Sequence, residues 1–232
     1  MRIPFLDMAI AHAGLRQELL DAMNRVLSKG VLVLGSEVEA FEAELAKRVG
    51  RRYCVGVGNG LDALKLTLRA WGIGVGDEVL VPSQTAVATW MAVSEAGATP
   101  VPADIDPVTY TMAPELIEAA AGPRCRAVIP VHLYGQPADM APIMAAAARR
   151  RLLVLEDVAQ AQGAQYGSRQ CGSLGDAPTG ILVRVPARTG AGPAIALGQC
   201  PRRLHQALHG SLRPLRDRGP DVLARNDRQI YQ

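Results

Sequence analysis

No run of apolar residues approaches the roughly 18 that a membrane-spanning helix needs, and this excludes such a helix. The first residues lack a basic stretch followed by an apolar one, and Asp7 interrupts Met1–Gly14, so no secretory signal peptide is expected. Cysteine is scarce. Cys54, Cys125, Cys171 and Cys200 are far apart and form no C-x-x-C pair, which argues against a disulfide framework. They read as reduced thiols of a cytoplasmic protein. Lysine is scarcer still: Lys29, Lys47 and Lys65 are the only three, all in the first third of the chain.

What is present is a soluble core. Of the 232 residues 49% are hydrophobic and 20% charged, enough for one large domain or a domain with a small appendage. The net charge of +3 hides an asymmetry. Residues 1–176 carry 16 Lys+Arg and 19 Asp+Glu, a net of −3; residues 177–232 carry nine Arg and three Asp, a net of +6. A basic tail raises nucleic-acid binding, but this one has a single aromatic, Tyr231, and no recognisable motif, so nucleic acid is not the expected partner.

Apolar residues recur at helical spacing over His12–Leu27, where Leu15, Leu19, Met23, Val26 and Leu27 share a face, and Gly30 closes that helix. Ser36 with Glu39 reads as a capping box opening a second helix over Val38–Val49. Short apolar strands are then expected at 53–57, 78–82, 99–103, 127–131 and 152–156. They alternate with helices over Leu61–Trp71, Thr85–Glu95, Pro114–Ala121 and Met140–Arg151. That alternation predicts an α/β fold, a three-layer sandwich around a mainly parallel sheet.

The strand over 152–156 ends in two acids, Glu156 and Asp157. Ligands of open α/β sheets bind outside the carboxyl ends of the strands. Asp157 is therefore either a ligand-facing acid or the cap of a following helix. Gly56-Val57-Gly58-Asn59-Gly60 is either a phosphate-binding turn at a helix N-terminus or a plain tight turn. PSQTAVAT (82–89) and His132-Leu133-Tyr134-Gly135-Gln136 sit at two further strand ends. His132 alone is more often a hydrogen-bonded structural residue than a ligand. His205 and His209 lack the further ligands of a metal site, so no metal is expected. A phosphate turn and a strand-end Asp belong together in a pyridoxal phosphate site, which predicts that Gly60, Gln84, Asp157 and Gln160 border one cavity.

Seven segments carry a family resemblance: IPFLD, LGSEVEAFE, GVGNGLDAL, GDEVLVPSQTAVAT, GATPVPADIDPVTYTM, AVIPVHLYGQPADM and LEDVAQAQGAQYGSRQCGSLGDA. The chain resembles the DegT/StrS-type sugar-nucleotide aminotransferases over about residues 3–176. The resemblance implies the large domain of a fold type I pyridoxal-phosphate-dependent transferase, incomplete here, spanning 1–176. It also implies amino transfer, usually from glutamate, to a nucleotide-linked keto sugar in a homodimer. Gly60 and Leu61 match the pair whose N–H groups hold the cofactor phosphate. Ala86 stands where many members stack an aromatic ring, Asp157 matches the partner of the pyridine nitrogen, and Gln160 matches a residue against the ring and its phenolic oxygen.

The resemblance stops after Asp176. The family continues into a Pro-x-Lys-Asn-Leu-Gly loop whose lysine forms the Schiff base; this chain reads PTGILVRVPARTGAGPAIALGQCPRRLHQ instead. Residues 177–232 are thus expected to be a divergent Arg/Pro/Gly-rich tail rather than a family domain, poorly packed save for one strand over Ile181–Val185. They read as an out-of-frame continuation that leaves the chain inactive. The competing expectation is a non-catalytic module that binds the cofactor or a nucleotide sugar.

Overall fold

A computed structural model of the chain describes residues 12–178 and 194–198. In chain order the helices are α1 (Arg16–Lys29), α2 (Ser36–Arg48), α3 (Gly60–Ala70), α4 (Val87–Ala96), α5 (Pro114–Ala120) and α6 (Met140–Arg150). The strands are β1 (Tyr53–Val57), β2 (Glu78–Pro82), β3 (Thr99–Ala103), β4 (Cys125–Val128), β5 (Leu153–Glu156), β6 (Gln165–Tyr166), β7 (Arg169–Gln170), β8 (Ala177–Pro178) and β9 (Ala194–Gly198).

Five strands form one all-parallel sheet in the order β3-β2-β4-β5-β8. Successive side chains of a strand point to opposite faces, and the central strands use both. Leu80, Val128 and Val154 pack with Ile117 of α5 and Met140 and Ile143 of α6. Val79, Val81, Ala127 and Leu155 pack with Leu64 and Leu68 of α3 and Ala92 and Val93 of α4. Apart from Ala127 and Ala92 these residues are large apolar groups, and each such burial contributes about 1.5–3 kcal/mol; strands covered on both faces therefore read as continuous apolar runs. The three-layer α/β sandwich expected from the sequence is what forms.

Edge strand β3 carries two prolines. Thr99 N donates to Asp77 O (2.9 Å) and Ala103 O accepts from Ser83 N (2.8 Å), so the residues of odd number face β2. Pro100 and Pro102 fall on the other side, at the open edge, where a missing N–H costs no ladder bond.

Four expectations need correction. β1 is not a member of the parallel sheet: it pairs antiparallel with β9, Tyr53 opposite Gly198 and Val57 opposite Ala194. Local periodicity specifies a strand but not its partner, and this partner arrives from about 140 residues further along the chain. β4 ends at Val128 rather than Val131, because Pro130 has no N–H to continue the ladder. Gly35, not Ser36, is the N-cap of α2, and no capping box forms. The Ser36 hydroxyl instead accepts from Lys29 Nζ (2.7 Å). Finally, α1 forms with Gly30 as its left-handed C-cap, but none of its residues is buried. Leu15, Leu19, Met23 and Leu27 stay between 44% and 68% exposed. The strand expected over Ile181–Val185 lies outside the described residues, as do His205, His209 and Cys200; β9, in the same tail, was not expected.

Candidate functional site

Glu156 and Asp157 leave β5 on opposite faces, by the same alternation that sorts the core. Glu156 follows the side of Val154. Its Oε1 accepts from the N–H groups of Leu174 (2.7 Å) and Gly175 (2.6 Å), and its Oε2 from Gly172 (2.8 Å). His132 Nε2 lies 3.2 Å from the same Oε2. Because His132 Nδ1 accepts from Ala138 N–H (2.9 Å), the ring proton sits on Nε2 and is donated to Glu156. Burial pushes the Glu156 carboxyl up, but His132 and the N–H groups of Gly175 and Gly172 outweigh it and hold it below its ordinary value. Gly175 is required here, since a Cβ would stand 2.7 Å from Val154 O. His132 is thus the structural residue that was the plainer expectation.

Asp157 follows the side of Leu155, toward α4. It caps no helix: Oδ1 accepts from Ala159 N–H (3.1 Å), a turn within its own loop, and Oδ2 from the Thr89 hydroxyl (3.1 Å). Its side chain is buried, and among the described residues it makes no ion pair. Burial pushes its carboxyl above the ordinary value; the Ala159 N–H and the Thr89 hydroxyl oppose this.

The glycine-rich turn opens α3. Asn59 is its N-cap, accepting from Asp62 N–H (2.8 Å), and Ala63 N–H is taken by Asn59 O (3.1 Å). The N–H groups of Gly60 and Leu61, first and second in the helix, have no intrahelical acceptor. Helix α3 packs along α4, and Arg69 Nη2 reaches Glu95 O (2.5 Å), which brings the last turns of the two helices together. Val87 opens α4 at the edge of the sheet where Thr89 meets Asp157.

The remaining expected residues fall around this edge. Ala86 is the exposed N-cap of α4 and brings no aromatic ring. Gln84 is exposed two residues earlier. Gln160 is exposed, and its Oε1 accepts from Tyr134 N–H (2.8 Å), holding the strand-end loop in which Tyr134 adopts a left-handed backbone (φ 55°). Sequence reasoning overlooked Thr85 and Thr89, although both lie in the 82–89 segment; their four-residue spacing at a helix start was the available signal. The arrangement offers a buried carboxylate able to accept a ring N–H, and helix-end N–H groups able to hold an anion.

The three lysines are engaged or remote. Lys65 Nζ pairs with Asp62 (2.6 Å) and Glu95 (3.0 Å), and these hydrogen bonds raise its affinity for its proton. Lys29 Nζ binds Ser36, and Lys47 lies in the last turn of α2.

The aminotransferase family model DegT/DnrJ/EryC1/StrS matches residues 14–179. A dTDP-3-amino-3,4,6-trideoxy-alpha-D-glucose transaminase of Streptomyces venezuelae is 51% identical over 172 residues, 74% of this chain and 45% of that protein. A dTDP-3-amino-3,6-dideoxy-alpha-D-galactopyranose transaminase of Aneurinibacillus thermoaerophilus is 49% identical over 175 residues, 75% and 48% of the two chains. The chain therefore spans about half the length of the curated relatives it matches. Among solved structures, S. venezuelae DesV in complex with a ketimine intermediate superposes with a TM-score of 0.79 at 43% identity, over 88% of this chain and 56% of that one. A Bacillus subtilis protein, ntda with bound cofactor PMP, superposes at 0.76 and 30% identity, over 88% and 47%. With the family model matching well over half of its residues, the chain belongs to the DegT/DnrJ/EryC1/StrS aminotransferase family.

Proposed function

We propose that this chain holds pyridoxal 5′-phosphate without a covalent link, and that the family reaction it derives from is amino transfer from glutamate to a nucleotide-linked keto sugar. The observation that supports the reading is Asp157, a buried carboxylate with no ion pair among the described residues, and the open N-terminus of α3 would complete the site. A buried charge of this kind is costly unless something offsets it. A protonated pyridine nitrogen does so, and the Gly60 and Leu61 N–H groups with the helix dipole take the phosphate. When bound, the cofactor supplies an electron sink for chemistry at an amino-acid Cα.

No lysine follows Lys65, and Lys65 itself is held by two carboxylates. Hence no amine is placed to attach the cofactor or to serve as base at the substrate carbon, and this chain does not complete the transfer. The site also lacks the aromatic stack at Ala86. The chain pairs with a second copy through the apolar surface of α1 and of Val31–Leu34, residues left 41–76% exposed where Leu20 and Val33 mark the extremes. It acts in the cytoplasm, where Cys54, Cys125 and Cys171, all buried and free, stay reduced.

The test is a titration of the purified chain with pyridoxal 5′-phosphate, followed by visible absorbance and by quenching of tryptophan fluorescence. Trp90, beside Thr89, is half-buried with its Nε1 donating to Pro82 O (3.2 Å). Saturable binding without a borohydride-stable mass increase, and no loss of glutamate with a nucleotide keto sugar, is the expected result. Absence of saturable binding, or turnover of glutamate, overturns the reading.

A further inference from the structure

Two buried threonines sit inside helices and use their hydroxyls differently. Thr67 of α3 donates to Ala63 O, four residues back (2.9 Å), the usual recourse of a helical threonine. Thr89 of α4, 1% exposed, does not. Its hydroxyl reaches Asp157 Oδ2, 68 residues away in sequence (3.1 Å), and Thr85 Oγ1 (3.0 Å).

The direction of this chain is determined by proton count. An ionised carboxylate only accepts, so the single Thr89 proton goes to Asp157. Thr89 Oγ1 must then accept from Thr85, which makes Thr85 the donor of that pair. With Ala159 N–H on Oδ1, each carboxylate oxygen holds one fixed donor and keeps acceptor capacity for one more group. Thr85 lies in the loop entering α4 and Thr89 in its first turn, so both hydroxyls stand at the start of the helix that packs on this face of the sheet.

We propose that Thr89, backed by Thr85, is a positioning residue that holds the Asp157 carboxylate in the orientation and charge state needed to meet a protonated ring nitrogen. This rests on the reading of Asp157 as the partner of the cofactor's pyridine. Thr89 acts through Asp157 and is not itself assigned a contact with the cofactor. Without its hydroxyl, Asp157 Oδ2 loses the one side-chain donor it has among the described residues, and the side chain is free to turn away from the ring.

The test compares pyridoxal 5′-phosphate binding by the intact chain with that of Thr89→Val, Thr89→Ser, Thr85→Val and Thr67→Val. The protonation state of the bound cofactor is read from the nuclear magnetic resonance shift of its isotopically labelled ring nitrogen. Thr89→Val should weaken binding by about 10-fold, as loss of one hydrogen bond to a charged group implies, and move the ring-nitrogen signal toward the neutral form. Thr89→Ser restores both, Thr85→Val gives a smaller change of the same sign, and Thr67→Val leaves both unaltered. If Thr89→Val does not fold, Thr85→Val decides the matter through the ring-nitrogen signal. Cofactor bound equally well, with the same signal, by the intact chain and the threonine variants overturns this assignment alone. An intact chain that binds no cofactor overturns the pyridine reading and this assignment with it.

Discussion

His132 Nε2 lies 3.2 Å from Glu156 Oε2, and both side chains are wholly inaccessible to solvent. The pair joins the end of β5 to the loop after β4, while the Glu156 oxygens gather the N–H groups of Gly172, Leu174 and Gly175. Glu156→Gln places an amide N–H₂ against those donors. Breaking a buried charged network by removing one partner costs about 3–5 kcal/mol. Thermal unfolding of Glu156→Gln should occur about 10 °C lower, at the usual conversion for a domain of this size. The folded-state carboxyl is held below its ordinary value by His132 and the N–H groups of Gly175 and Gly172. Its contribution to stability is therefore present above that value and lost as pH falls through the lower folded-state value. Acid melts of the intact chain should show this loss, and Glu156→Gln should not.

Asp157 titrates in the opposite sense. Burial raises its folded-state pKa above the ordinary carboxylate value, so its contribution to stability is fully present below that value and is lost as pH rises through the raised one. Asp157→Asn removes the buried charge. Its amide can donate to Thr89 Oγ1, which then donates to Thr85. The cofactor-free variant should melt a few degrees higher than the intact chain at neutral pH, while binding pyridoxal 5′-phosphate about 10-fold or more weakly. Paired melts and titrations check both halves.

Met23 on α1 is 59% exposed and Leu27 is 68% exposed. Met23→Lys should leave the melting temperature of the isolated chain within about 1 °C, because exposed substitutions usually change stability by under ~0.5 kcal/mol. It should also shift a self-associating chain toward monomer, as read by sedimentation velocity over a range of concentrations. A monomeric intact chain would remove the basis for pairing through this surface.

The segment from residue 177 onward has an abrupt change of composition, with nine Arg and no Lys. Ala187-Arg188-Thr189 can be written GCA AGA ACN, which contains AAG AAC, the codons for Lys-Asn, in another frame. The nucleotide sequence should therefore show a shifted frame that restores a lysine-containing loop. If no frame there encodes Lys-Asn, the out-of-frame origin of the tail is wrong.

Local sequence determined the elements. Strand runs such as Glu78–Pro82, the helix stop at Gly30 and the α/β alternation were legible because each depends on residues close in the chain. The acid at the end of β5 and the glycine turn before α3 were legible for the same reason. Tertiary structure alone decided which strand β1 joins, since hydrogen-bond partners over long separations leave no local trace. It also separated the adjacent acids: among the described residues Glu156 received a histidine and three N–H groups on one face, and Asp157 received two uncharged donors on the other. The alternation of a strand sends neighbours to opposite layers, but what waits in each layer is set by segments that fold in from 24 and 68 residues away, His132 and Thr89.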